Sequence, residues 1–208
     1  MADLFISYSR ADRPRCSEIR DALAALKVDV WFDVGIEPGH SFDREIEREL
    51  GAAKAVLVLW SETSVGSDWV RNEARTGKES DRLAALQIGP CQLPLEFRSI
   101  QAEPLPADQP VAASPAWPAM LRRLGDLVGR PGLSDYARLA AEADTRPDAW
   151  RRWIAANPAD PLVADAVERM IEGAAPDLKG QLASERARRA ALEAQLAEHV
   201  ETDRAQAG

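Results

Sequence analysis

The sequence predicts an α/β protein with a flavodoxin-like parallel sheet flanked by helices. Over the first 130 residues, short apolar runs alternate with stretches that carry apolar residues at helical spacing. The run Ala55–Trp60 is apolar throughout, as expected of a central strand covered on both faces. Parallel strands joined by helices need right-handed crossovers, which place the helices on the two faces of the sheet. After residue 130 the pattern becomes purely helical.

Turn residues and apolar spacing place each element in the first 130 residues. The predicted strands are Leu4–Tyr8, Val28–Phe32, Ala55–Trp60 and Leu83–Ile88, with an edge strand at Phe97–Ala102. Polar residues that can cap a helix precede each helical stretch. These predicted caps are Asp12, Ser41, Ser67 or Asp68, and Ser114 followed by Pro115.

A glycine- and proline-rich segment at residues 129–132 marks a domain boundary. We predict a first domain at residues 1–130, a helical hairpin or repeat-like region at 131–175 and a charged helical tail at 176–208. In the middle region, Ser134 is predicted to cap a helix, and two more helices are predicted to begin at Pro147 and Pro161. So small a unit buries little apolar surface alone, so we expect it to pack on the first domain, on a partner or on another copy.

The tail at residues 176–208 is rich in glutamate, arginine and alanine, with a partial leucine stripe. Glu185 and Arg189 interrupt any heptad pattern. A coiled coil and a solvated single helix both remain open.

The charge and composition of the chain argue against several classes of function. The 208 residues carry a formal net charge of -8, which argues against binding to nucleic-acid backbones and to anionic membranes. The longest apolar run is far too short to cross a bilayer, and we expect a soluble cytoplasmic protein. Cys16 and Cys91 form no CxxC pair, and only His40 and His199 could join them. We therefore predict no metal site and read both cysteines as small apolar side chains.

Trp69 and Glu73 are the most informative pair of residues. They are four positions apart, so on a helix they lie on one face, one turn from each other. An aromatic plane beside a carboxylate suits a cationic, planar, glycosidic group such as the nicotinamide end of NAD.

Four blocks of sequence occur in order at the spacing of one domain. They are Ser7–Asp12 with the strand before it, residues 30–39, Val56–Ser61 and Trp69–Glu73; a weaker fifth block is Phe97–Gln101. Together they resemble the TIR (Toll/interleukin-1 receptor) domain family over about residues 3–128, and the Trp-x-x-x-Glu motif resembles its bacterial, NAD-cleaving members. The resemblance implies cleavage of NAD with Glu73 as the catalytic residue, activation by self-assembly, and a role in antiphage defence or signalling.

The resemblance also assigns residues around Glu73. Tyr8, Ser9 and Arg10 lie at the carboxyl end of the first strand, the edge where parallel sheets place ligands, and are predicted to bind substrate. Trp69, Asp33 and Phe42 are predicted substrate contacts as well. Ile36, Pro38 and Gly39 form a loop predicted to join neighbouring copies. No GxGxxG loop is present, so NAD is expected as a substrate, with no retained cofactor.

Each assignment has a simpler alternative. Glu73 could be a solvated helix glutamate, Trp69 an aromatic anchor of its helix on the sheet, and Arg10 a solvated loop arginine. At the level of function, the alternative is a non-enzymatic module that binds other TIR domains. A phospho-acceptor receiver domain is set aside, because the third strand ends in Trp60 and Ser61 with no aspartate.

Overall fold

The protein is described from a computed structural model. The structure describes residues 2–32, 40–142, 147–174, 184–185 and 187–190; the side chains of residues 40–43 lie outside it. The strands are β1 (Leu4–Ser7), β2 (Val30–Trp31), β3 (Ala55–Trp60), β4 (Leu83–Gln87) and β5 (Ala102–Pro104). The helices are α1 (Arg13–Ala25), α2 (His40–Ala52), α3 (Asp68–Glu79), α4 (Ala116–Val128), α5 (Leu133–Ala141) and α6 (Pro147–Ala156). Residues 163–174 are also helical.

The five strands form one parallel sheet in the order β2-β1-β3-β4-β5, which confirms the predicted fold class. The chain passes from β1 to β2 on one side and returns to β3 on the other side of β1. The order therefore reverses between β1 and β3. Sheets of this kind bind ligands in the crevice beyond the carboxyl ends of the strands at such a reversal.

Strand β3 runs through the centre of the core, as its apolar sequence predicts. All six of its residues are at most 1% exposed. Leu57 and Leu59 pack on the face covered by α1 and α4, whereas Val56, Val58 and Trp60 pack on the face of α2 and α3. This alternation follows from the two-residue period of a strand and fixes which helices flank the carboxyl end of β3.

The predicted edge strand at Phe97–Ala102 is wrong in position. Leu95–Phe97 form a 3-10 turn, and β5 begins only at Ala102. Proline at position 94 favours the turn, and the amides of Phe97 and Ile100 donate to the carbonyls of Pro94 and Phe97. The backbone is thus satisfied locally, while the Phe97 ring packs 5.0 Å from that of Trp60.

Four predicted caps are also wrong. Asp12 makes no side-chain cap bond to α1, and Ser114 precedes Pro115, which is itself the N-cap residue of α4. Ser41 lies inside α2, which begins at His40, and Ser134 lies inside α5, where its hydroxyl donates to the Pro118 carbonyl at 2.9 Å. The cap at Ser67 is confirmed, because its side chain accepts a hydrogen bond from the Val70 amide. Strand β2 is shorter than predicted and contains only Val30 and Trp31.

The helical region after residue 130 packs on the first domain, one of the three expected partners. Its buried residues belong to the same core cluster as β1, β3 and α4; they are Leu133, Tyr136, Leu139, Trp150, Trp153, Leu162 and Ala166. The domain bounds at 130 and 175 and the coiled coil stay predictions. No helix in the described part of the chain is both long and apolar enough to cross a bilayer.

Gly77→Ala is expected to destabilise the protein. A Cβ at Gly77 would lie 2.9 Å from Cβ of Val56 and 3.2 Å from Cδ1 of Leu83, so α3 would have to move off the sheet. We expect a cost of about 1–3 kcal/mol in the free energy of unfolding. Gly51→Ala is the control, since its Cβ meets nothing within 4 Å. That change should stabilise α2 by about 0.5–1 kcal/mol. Urea unfolding measures both, and equal effects would contradict this packing.

Tyr136→Phe is expected to make the protein less sensitive to alkali. Burial, followed by the hydrogen bond to Asp165, raises the pKa of Tyr136 to about 12. The folded state therefore keeps a proton that an unfolded tyrosine loses near pH ~10, and stability falls as pH rises between about 10 and 12. Phenylalanine has no phenolic proton to lose. The urea midpoint of Tyr136→Phe should therefore fall less than that of wild type as the pH rises from about 10 to about 12. Parallel curves for the two proteins would contradict the assignment.

Candidate functional site

The central feature of the site is a hydrogen bond between two buried side chains at the carboxyl edge of the sheet. Ser7, the last residue of β1, donates its hydroxyl to Oε2 of Glu73 at 2.5 Å. Ser7 is 1% exposed and Glu73 is 6% exposed. The alternative of a solvated helix glutamate is therefore wrong. A carboxylate is seldom buried without a partner, and here β1 supplies one.

Helix α3 presents Glu73 to the sheet through its buried stripe. The buried residues of α3 are Val70, Glu73, Ala74 and Gly77, at the spacing that covers one face of a helix. Glu73 is the one charged residue among these four. The helical spacing of the sequence could thus predict that its side chain points inward.

Ser7 is a site residue that sequence reasoning missed. The available signal was a hydroxyl in a strand whose other three residues are all apolar and buried. A buried hydroxyl needs a hydrogen-bond partner, but nothing near Ser7 in sequence indicates that the partner lies 66 residues away.

Trp69 lies one helical turn before Glu73 and is 44% exposed. Among the described residues it belongs to neither core cluster, and its role as an aromatic anchor of the helix stays a prediction. Its large, accessible ring close to the buried carboxylate is consistent with a ligand or partner contact, and its role in substrate binding stays a prediction.

The segment after β1 lies at the same edge. Tyr8 is half-buried, with its ring 6.4 Å from that of Phe32. Ser9 precedes the 3-10 turn Arg10–Asp12, and Arg10 is exposed to solvent. The structure therefore places these residues beside β1 as the sequence predicted, while their contacts with substrate stay predictions.

Asp12 does not cap α1 through its side chain, contrary to the prediction. Its Oδ2 instead accepts hydrogen bonds from the hydroxyls of Ser61 at 2.6 Å and Thr63 at 3.2 Å. Both partners lie in the segment between β3 and α3. The carboxylate therefore links the two segments that leave the carboxyl ends of β1 and β3.

Five predicted site residues lie wholly or partly outside the described residues. Asp33, Ile36, Pro38 and Gly39 lie outside the described residues. Phe42 lies in the first turn of α2, but its side chain is outside the description. Their roles stay predictions.

The two cysteines do not form a reactive pair. Cys16 is buried and Cys91 is half-buried, and both are free thiols. Burial raises the pKa of Cys16 to about 12. Burial, together with the nearby Asp12 carboxylate, also raises the pKa of Cys91. Both thiols are therefore protonated at neutral pH, in agreement with small apolar side chains. Among the described residues, no group of three His, Cys, Asp or Glu side chains is placed to hold a metal.

A separate cleft of about 590 Å³ lies between α4 and the strands β4 and β5. None of its lining residues belongs to the predicted site. Its carboxylates include Asp81, whose side chain is 99% exposed. We take Glu73 as the candidate functional site, because its carboxylate is buried and hydrogen-bonded, whereas that of Asp81 is exposed.

A TIR domain family model matches residues 4–114, just over half of the chain and including Ser7, Trp69 and Glu73. The chain belongs to the TIR domain family. The bacterial, NAD-cleaving subtype of this family remains a prediction for the present TIR protein. No curated protein matches it.

A solved TIR domain shares its fold. The TIR domain of the Toll-related receptor TRR-2 from Hydra magnipapillata is 17% identical, with a TM-score of 0.50, over 62% of this chain and 99% of the Hydra domain. The TIR domains of the activated Roq1 resistosome, which directly recognizes the pathogen effector XopQ, are 14% identical, with a TM-score of 0.34, over 83% of this chain and 98% of theirs. At these identities, the likeness to the Hydra domain concerns the fold alone.

Proposed function

We propose that this TIR protein cleaves the bond between nicotinamide and ribose in NAD, with Glu73 as the catalytic carboxylate. The observation that carries the proposal is the buried Glu73, bonded to Ser7 where the strand order reverses. Ligands of such sheets bind at this edge. Removal from bulk water strengthens the interaction of a carboxylate with a developing positive charge.

The chemistry needs one carboxylate. The bond between ribose C1′ and the nicotinamide nitrogen breaks, and its electron pair leaves with nicotinamide, which departs as a neutral molecule. No general acid is needed, in contrast to ordinary glycosidases with their two carboxylates. The ribose becomes oxocarbenium-like, and the charge of Glu73 stabilises it. Water then attacks C1′ and loses a proton to give ADP-ribose, or a nitrogen of the same molecule attacks to give a cyclic product.

Ser7 holds the catalytic group in place. Its hydroxyl donates to the carboxylate and fixes the side-chain rotamer of Glu73 before substrate arrives. The exposed ring of Trp69 is available to stack on nicotinamide, and Tyr8, Ser9 and Arg10 are available to the rest of the substrate. Arg10, as a cation, suits the diphosphate of NAD. Asp33 and Phe42 complete the proposed substrate contacts.

Activity is proposed to depend on self-assembly. Ile36, Pro38 and Gly39 would join one copy to the next, and the helical region that follows the first domain would organise these copies or sense a partner. NAD loss, or a cyclic product, would then act in bacterial immunity or signalling.

A non-enzymatic role in TIR–TIR interaction is the second candidate. The exposed Trp69, at 44%, and Leu95, at 79%, favour it, because large exposed apolar side chains are common anchors of protein interfaces.

The test is release of nicotinamide from NAD by the purified full chain, measured with and without a coupling agent that forces assembly. Release in the forced-assembly arm that is lost in a Glu73 variant supports the enzyme. Self-association without any release, even in that arm, supports the interaction module and overturns the proposed cleavage.

A further inference from the structure

Asp12 lies between the two segments that border the proposed site. Its amide donates to the Ser9 carbonyl at 2.7 Å, which closes the turn after β1. Its carboxylate reaches the other segment through Ser61 and Thr63, whose hydroxyls are themselves 3.0 Å apart. A carboxylate that caps no helix but joins two distant segments has a connecting role.

From Ser61, a chain of hydrogen bonds leads to α3. The Ser61 amide donates to the Ser64 hydroxyl at 2.7 Å, and the Ser64 amide donates to the Ser61 hydroxyl at 3.1 Å. The Ser67 amide donates to the Ser64 carbonyl at 3.1 Å, and the Ser67 hydroxyl caps α3. Ser61 is 7% exposed and Ser64 is 0% exposed, so water cannot readily replace these bonds.

The two linked segments carry the proposed substrate contacts. One contains Tyr8, Ser9 and Arg10, and the other leads directly to Trp69 in the first turn of α3. Glu73 is held separately, by Ser7. The geometry points to Asp12 as a positioning residue that sets the spacing between the two halves of the substrate-binding surface. This inference rests on the proposed NAD cleavage for its kinetic consequence, but the link between the segments is testable without it.

Hydrogen exchange of the full chain, read by mass spectrometry, tests the link. Asp12→Ala should accelerate amide exchange in residues 61–67 by about tenfold, because the bonds behind Asp12 then open locally. Asp12→Asn keeps one acceptor oxygen and should show a smaller change. Asp21→Asn, at an exposed carboxylate of α1, is the control and should match wild type. Wild-type exchange of residues 61–67 in Asp12→Ala would overturn the inference.

Ser61→Ala provides a second variant that removes no charge. It should accelerate the same amides as Asp12→Ala, and the double variant should change their exchange by less than the product of the two single effects, because both variants remove the hydrogen bond between Ser61 and Asp12. Changes that add independently would show that Asp12 and Ser61 do not act as one unit, against the inference.

The effects of Asp12→Ala on KM and kcat distinguish a positioning role of Asp12 from a catalytic one. Asp12→Ala should raise KM for NAD by about tenfold and change kcat by less than about twofold, since Glu73 keeps its own partner. Equal KM values for the variant and wild type would overturn the role of Asp12 at the site. If wild type releases no nicotinamide in the forced-assembly arm, the proposed function fails, and the exchange data alone decide the link.

Discussion

Glu73→Gln is expected to remove NAD cleavage while the fold stays intact. Glutamine keeps an acceptor for the Ser7 hydroxyl, but it lacks the charge that stabilises the oxocarbenium-like ribose. Loss of a preorganised electrostatic contact of this kind lowers kcat by about 100- to 1000-fold. Nicotinamide release from NAD, measured with assembly forced, gives the result.

Glu79→Gln is the matched control for this variant. Glu79 is the last residue of the same helix and is exposed, so its replacement removes the same charge without touching the site. Its rate should equal that of wild type. A folded Glu73→Gln protein that still cleaves NAD at the Glu79→Gln rate would show that Glu73 is not catalytic.

Because Glu73 is buried, replacement by glutamine tests its catalytic role more clearly than replacement by alanine. Alanine is the best helix former, and at a solvated position it would be harmless. Glu73→Ala, however, would leave the buried Ser7 hydroxyl without its acceptor, at a cost of about 1–3 kcal/mol. Loss of activity in that variant would mix catalysis with stability, so glutamine is the better choice.

Arg130→Met is expected to have the largest effect on stability. Arg130 donates two hydrogen bonds to the carboxylate of Asp160, at 2.8 and 2.9 Å, and others to the carbonyls of Leu26 and Lys27. The two side chains of the ion pair are 10% and 4% exposed. Methionine would leave Asp160 as a buried charge without its cation, at a cost of about 3–5 kcal/mol. Urea unfolding of the variant and of wild type measures this loss in the free energy of unfolding.

Arg138→Met in α5 is the control, because its ion pair with Glu142 lies on the surface. The Arg138 and Glu142 side chains are 55% and 49% exposed. Exposed pairs contribute about 0–1 kcal/mol, so this variant should unfold near the wild-type midpoint. A similar loss in both variants would mean that Arg130 does not join the helical region to the first domain in the way described.

The helical region illustrates how far sequence reasoning reaches. Its helices follow from apolar spacing and from prolines. Pro147 is the first residue of α6, whereas Pro161 lies in the turn before the helix that begins at residue 163, contrary to the prediction. The surface on which this region packs could not be predicted from the sequence. An apolar stripe indicates how much of a helix is buried, but it does not indicate which element covers it. The hydrogen bonds of Arg130 to the carbonyls of Leu26 and Lys27, just after α1, join residues 104 and 103 positions apart, which no local pattern encodes.

The sequence by itself determined the α/β class, the central strand Ala55–Trp60, and the placement of Trp69 and Glu73 one turn apart on a helix capped by Ser67. These depend on local periodicity and capping, which neighbouring residues specify. Only the tertiary structure decided that Glu73 is buried against Ser7 and that Asp12 binds Ser61 instead of capping α1. Both contacts form because β3 lies beside β1 in the sheet, and the order of strands is set by packing of the whole domain and not by any one segment.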